Sequence, residues 1–218
     1  MSGRTRTRIK ICGITRVEDG AAAIAAGADA LGMIFWEPSA RHVPLEAAGR
    51  ICALPGPFCA RVGVFVDPEP VFLRSLLDHA RLTCLQFHGN EGADYCRSFG
   101  LPYIKALRMR DGVDLDRAVR DYGDACGLLL DSYVPEQPGG TGKTFAWDRA
   151  CYAEPGDSSA KPILLAGGLT AENVATAIAA AKPYGVDVSG GVEDAPGIKN
   201  PRRIEAFCAA VRAADRRL

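Results

Sequence analysis

No surplus of charge marks this chain. Lysine and arginine together number 26, as do aspartate and glutamate, so nothing in bulk draws it toward nucleic acid or an anionic membrane. No apolar run approaches the ~18 residues that a spanning helix needs. The basic start, Met1 to Arg8, has no apolar signal region behind it, and residues 1–7 read as a disordered basic tail. Cysteine pairs are missing too. The eight cysteines fall at 12, 52, 59, 84, 96, 126, 151 and 208 without one Cys-x-x-Cys, and several lie inside apolar runs, as buried thiols do. His88 has no second histidine near it in sequence and belongs to no ligand-spaced cluster, so no metal is expected. These gaps lead to a cytoplasmic protein with reduced thiols, without a nucleic-acid or membrane partner.

What is present is repetition. A hydrophobic fraction of 48% and a charged fraction of 24% suit a globular protein. Short β-rich apolar runs begin near Arg8, Asp29, Ala60, Thr83, Pro102, Cys126, Lys161 and Gly185. Their spacing of about 20–35 residues suits successive strand–helix units. Amphipathic or alanine-rich stretches fall between them at Val17–Ala26, Leu45–Ala53, Pro70–His79, Gly92–Phe99, Asp114–Tyr122, Ala171–Ala180 and Pro201–Ala214. Thr170 and Asn200 read as caps, the latter before a first-turn proline. The sixth interval differs, with a Pro/Gly-rich loop over Ser132–Lys143 and a short helix candidate at Trp147–Tyr152. Eight alternating units predict one α/β domain over residues 1–218, a (β/α)8 TIM barrel with parallel strands, rather than an open sheet.

Strand alternation then sorts the faces. Lys10 and Cys12 share one face, as do Gln86 and His88, Leu129 and Asp131, and Asp187 and Ser189. In a barrel, polar residues late in a strand point to the open mouth, where active sites form. Cys12 alone is compatible with an inert core thiol or a reactive one. Asp131 suits a turn as well as an acid, and Arg41 suits a solvated loop as well as a carboxylate clamp. Two glycine turns, Gly167-Gly168 and Ser189-Gly190-Gly191, follow strands seven and eight, where barrels commonly seat phosphate on backbone amides and a helix start. By contrast, Gly139-Gly140-Thr141-Gly142-Lys143-Thr144 is no nucleotide loop, because Gln137 stands where that pattern needs glycine.

Taken in order, these stretches resemble the phosphoribosylanthranilate isomerase family of tryptophan biosynthesis. Lys10-Ile11-Cys12-Gly13-Ile14-Thr15-Arg16 matches its opening motif, and Pro38-Ser39-Ala40-Arg41 its second loop. Gly63-Val64-Phe65-Val66-Asp67, Leu85-Gln86-Phe87-His88-Gly89, Leu130-Asp131 and Ala166-Gly167-Gly168-Leu169 follow. Gly185-Val186-Asp187-Val188-Ser189, with Gly191-Val192-Glu193, closes the series. The resemblance implies an Amadori rearrangement, an internal aldose-to-ketose conversion that needs no cofactor. It implies Cys12 as general base, Asp131 as general acid, Arg41 as partner of the anthranilate carboxylate and the two glycine turns as phosphate seats. Gln86, His88 and Ser189 join the expected substrate-binding set, and the expected assembly is a monomer or homodimer. Gly190 departs from the family's usual serine, and Ala146 from its common aspartate. An ordinary Asp titrates near ~3.9 and an ordinary Cys near ~8.5, so each starts in the wrong form at neutral pH. Burial is expected to raise Asp131, and the nearby Lys10 to lower Cys12.

Overall fold

A computed structural model describes residues 6–109, 113–131 and 161–217. The chain starts with strand β1 (Arg8–Ile11) and helix α1 (Val17–Ala25), then β2 (Ala30–Ile34), α2 (Leu45–Cys52), β3 (Ala60–Phe65) and α3 (Pro70–His79). Next come β4 (Cys84–Phe87), α4 (Ala93–Arg97), β5 (Tyr103–Arg108), α5 (Leu115–Asp121) and β6 (Gly127–Asp131). After residues 132–160 follow β7 (Ile163–Ala166), α6 (Val174–Ala181) and β8 (Gly185–Val188). A 3-10 turn (Gly190–Val192), the small antiparallel pair β9 (Glu193–Ala195) and β10 (Ile198–Lys199), and α7 (Pro201–Asp215) complete it. β1 pairs in parallel with both β2 and β8, so the eight strands close into the expected barrel. No described helix is long and apolar enough to cross a membrane.

Alternation builds two cores from one sheet. Ile9, Ile11, Leu128, Leu130, Leu165, Val186 and Val188 face outward into the shell beneath the helices. Val62, Cys84, Ile104, Ala106, Leu129 and Leu164 face inward and fill the barrel. Burying each such aliphatic side chain contributes about 1.5–3 kcal/mol. Behind β4 an aromatic cluster fixes the strand: Phe87 lies 6.2 Å from Phe65, 5.8 Å from Tyr95 and 6.0 Å from Tyr103, ring centre to ring centre. The inward residues of that same strand are therefore held against a stiff back.

Local chemistry sets the ends. Asn200 accepts from the amides of Arg202 and Arg203 ahead of Pro201, and Asp114 accepts from Arg117, which supplies partners to otherwise orphaned first-turn amides. Two expectations need correction. The sixth helix begins at Val174, not Ala171, because Asn173 accepts from the Thr170 amide and donates to the Gly168 carbonyl, holding 171–173 in a turn. The basic tail is not loose up to residue 7: the Thr7 amide and hydroxyl both bind Asp215, at 2.9 and 2.6 Å, and Arg6 pairs with Asp29. The Ser132–Lys143 loop, the Trp147–Tyr152 helix and Ala146 lie outside the described residues.

Candidate active site

At the carboxyl ends of the strands a cavity of about 410 Å³ opens. Cys12, the first residue past β1, is only 6% exposed, and its amide donates to the Val188 carbonyl at 2.8 Å. Two glycines leave room in this corner of the mouth. Gly13 takes φ +72°, and a side chain there would meet Arg41 at 2.7 Å and Ser189 at 2.9 Å. A Cβ on Gly32, in the neighbouring β2, would stand 2.7 Å from the Cys12 sulfur. Asp131 ends β6, three places round the sheet from β1, and lines the same cavity. His88 Nε2 lies 3.3 Å from Asp131 Oδ2, and His88 Nδ1 lies 3.3 Å from the amide nitrogen of Gln86. The buried Gln86 Oε1 has no hydrogen-bond partner among the described residues.

The floor is charged. Lys10, inward on β1, donates to its register neighbour Asp187 on β8 at 2.9 Å, both nearly buried. Burial works against the Lys10 charge, but Asp187 and Cys12 outweigh it and leave the ammonium harder to deprotonate than usual. The expectation that Lys10 lowers the Cys12 pKa is half right. Burial first, and Asp187 second, push the thiol up; Lys10 and Lys199 pull it down and lose. The sequence offered the cation but hid the opposing carboxylate, which is 177 positions away.

Arg41 reaches into the mouth from the loop after β2. Its Nε and Nη2 donate to Glu193 at 2.9 and 2.7 Å, and Glu193 also accepts from Lys199 at 2.7 Å. Burial opposes the Glu193 charge, yet these two cations keep its carboxyl below the ordinary range. Lys199 also donates to the Ser189 carbonyl and hydroxyl, at 3.2 and 3.3 Å, which braces the turn after β8 from below. Glu193, Lys199 and Asp187 were absent from the expected set. Their polar character was visible, their partners were not.

The two glycine turns meet. Gly167 and Gly168 both have positive φ, 91° and 61°, which L side chains rarely adopt. Gly191 packs so tightly on the Leu169 carbonyl that a Cβ would collide with it. At Gly190 a Cβ would come within 3.4 Å of Arg41 Nη2, so the glycine leaves the guanidinium room. The first amides of a 3-10 turn such as Gly190–Val192 have no acceptor inside it. Gly167, Gly168, Ser189, Gly190 and Gly191 all border the cavity, together with Cys12, Asp131, Arg41, Gln86 and His88. All ten expected site residues are thus brought to one place.

A closed (β/α)8 barrel with a thiol, a carboxyl and two glycine turns round one mouth is the plan of an acid–base barrel enzyme with an anion seat. The particular family follows from comparison. Residues 9–210 match the model of N-(5'-phosphoribosyl)anthranilate (PRA) isomerase. The N-(5'-phosphoribosyl)anthranilate isomerase of Chromohalobacter salexigens is 52% identical over 206 residues, 94% of either chain. The crystal structure of phosphoribosyl anthranilate isomerase from Thermotoga maritima superposes with TM-score 0.84 at 38% identity, covering 95% of this chain and 99% of that one. A structure of the isomerase in complex with reduced 1-(o-carboxyphenylamino)-1-deoxyribulose 5-phosphate gives TM-score 0.81 at 35% identity, with coverage of 95% and 99%. The chain belongs to this isomerase family.

Proposed function

We propose that the mouth converts N-(5-phosphoribosyl)anthranilate to 1-(2-carboxyphenylamino)-1-deoxyribulose 5-phosphate, with Cys12 as base and Asp131 as acid. The observation that carries this reading is their meeting in one cavity above two glycine turns. Asp131 gives a proton to the furanose ring oxygen, the C1–O bond breaks, and the nitrogen lone pair forms an iminium. The His88 imidazole, 3.3 Å from Asp131, holds the carboxyl where it is needed. Cys12 as thiolate then removes the C2 proton. The electrons flow into the iminium, giving an enolamine that tautomerises to the aminoketone. Hydrogen moves within one molecule, so no outside oxidant or reductant enters.

Arg41 meets the anthranilate carboxylate with a guanidinium already oriented by Glu193. The turns after β7 and β8 take the phosphate through backbone amides, a role that Gly190 fills without a hydroxyl. The seven described cysteines are free thiols, which suits the reducing cytoplasm where we place the reaction.

Fluorescence of the anthranilate substrate during turnover tests the reading directly. The purified chain is expected to consume this substrate and to leave the aldose substrate of the histidine pathway untouched. A barrel that bound the product analogue without turnover would be a ligand-binding protein instead.

A further inference from the structure

Behind His88 lies a buried ion pair that does not border the mouth. Lys105 on β5 and Glu91, in the loop between β4 and α4, are 2% and 7% exposed. Lys105 Nζ donates to Glu91 Oε2 at 2.9 Å. Lys105 stands opposite Phe87 in the register of β4 and β5, and Phe87 packs in the outer shell, so both side chains point away from the mouth. The ammonium donates also to the Gly89 carbonyl at 2.6 Å and to the Phe87 carbonyl at 3.4 Å. Its donors are thus directed at one carboxylate and at the carbonyls of the two residues that flank His88. Glu91 completes the grip: it accepts from the Gly89 amide at 3.0 Å and from the Asp67 amide, in the loop after β3, at 2.7 Å. Asp67, at φ +44°, accepts in turn from the Asn90 amide at 2.6 Å. The His88 amide itself donates to the Phe65 carbonyl at 2.8 Å. Both peptide groups of His88 are therefore tied from behind.

We propose that Lys105 and Glu91 are positioning residues for the isomerisation: they clamp the backbone on both sides of His88 so that its imidazole stands against Asp131. The inference rests on the reading of Asp131 as the acid. Stability alone is a poor reason for the pair, because apolar residues of similar volume often serve a core as well or better than a buried ion pair. Apolar residues could not hold two carbonyls and two amides in place. His88 meets Asp131 at 3.3 Å, so a small displacement of its backbone breaks the contact. A misplacement of about 1 Å that starts away from the chemistry can cost about 10²-fold in rate. The loss falls on turnover rather than binding, because the phosphate turns follow β7 and β8 and Arg41 follows β2, none of which the pair touches.

Lys105→Met in the full-length chain tests this, since it keeps most of the stem and removes the donors. Its kcat is expected to fall about 10- to 100-fold, with KM and affinity for the reduced product analogue within about twofold of the unaltered chain. In a His88→Ala background the same change should cost less than about threefold, because the ring that it positions is gone. The chain has three histidines, so spectra of the protein labelled with 15N-histidine separate their rings. The His88 ring signals should shift in Lys105→Met while those of His79 stay. Where the unpaired Glu91 carboxylate prevents folding, Lys105→Met/Glu91→Gln removes both charges and should show the same losses. An unchanged kcat, an equal loss in the His88→Ala background, or unmoved His88 ring signals would overturn the proposal. The spectra need no turnover. Full activity in Asp131→Asn, or no consumption of the substrate by the unaltered chain, would sink the reading of the acid, and the ring signals would still decide whether the clamp holds His88.

Discussion

Asp131 lies 3.3 Å from the His88 imidazole, and we assign it the acid's role. Replacing Asp131 by Asn keeps the shape and removes the acidic proton, so turnover should fall about 10²- to 10⁴-fold while product-analogue affinity holds. Near-normal turnover in that variant would remove Asp131 from the mechanism. Cys12 makes a sharper prediction, because burial and Asp187 hold its pKa above the ordinary value. The free protein's kcat/KM should therefore still be rising at pH 8.5, an ordinary thiol's midpoint of about 8.5 being passed before the plateau. A plateau already complete at pH 7 would mean that another group is the base. Arg41→Ala should raise KM more than it lowers kcat, by about tenfold or more, since a charge-assisted contact contributes about 1.5–3 kcal/mol. An unchanged KM would return Arg41 to the role of a brace for Glu193.

At the scale of elements, the turn after β8 depends on a missing side chain. Gly191→Ala would drive a methyl into the Leu169 carbonyl and pry apart the two turns that we assign to phosphate. Overpacking of this kind costs about 1–3 kcal/mol, and here much of it should fall on binding. Inhibition by inorganic phosphate should weaken at least severalfold, with far-ultraviolet dichroism unchanged; undiminished phosphate inhibition would place the anion elsewhere. This also shows what sequence reading reaches. Proline and capping residues marked the starts of α3 and α7 at Pro70 and Pro201, and strict alternation put Lys10, Cys12, Gln86, His88 and Asp131 on the inner face. The start of α6 was hidden because the Asn173 side chain competes with the helix for its own first turn. Gly32 gave no sign of its use, since the sulfur that needs its space belongs to the adjacent strand.

Taken whole, the molecule carries an alkaline liability that no local pattern announces, because it depends on which cysteines the barrel encloses. Burial raises Cys12, Cys59 and Cys208, and takes Cys96 up to about 12. An unfolded thiol titrates near ~8.5. For such a raised group the stabilisation is complete below the unfolded value and is lost as pH climbs toward the folded one, because over that window the folded state binds more protons. Each group then contributes a slope of about −1.4 kcal/mol per pH unit to the unfolding free energy. Lys10, also raised, acts in the same direction at higher pH. Cys126 and Lys199, both lowered, oppose the trend, the former between pH 7 and 8.5 and the latter below a lysine's usual midpoint. Stability from urea unfolding should therefore peak near pH 8.5 and fall between pH 9 and 10. Cys96→Ala leaves a small void whose cost is the same at every pH, yet it removes one of the titrating thiols. Its stability curve should run lower at pH 8 and decline less steeply above pH 9, by about 1.4 kcal/mol per unit. A parallel decline in both proteins would show that Cys96 keeps an ordinary pKa inside the fold.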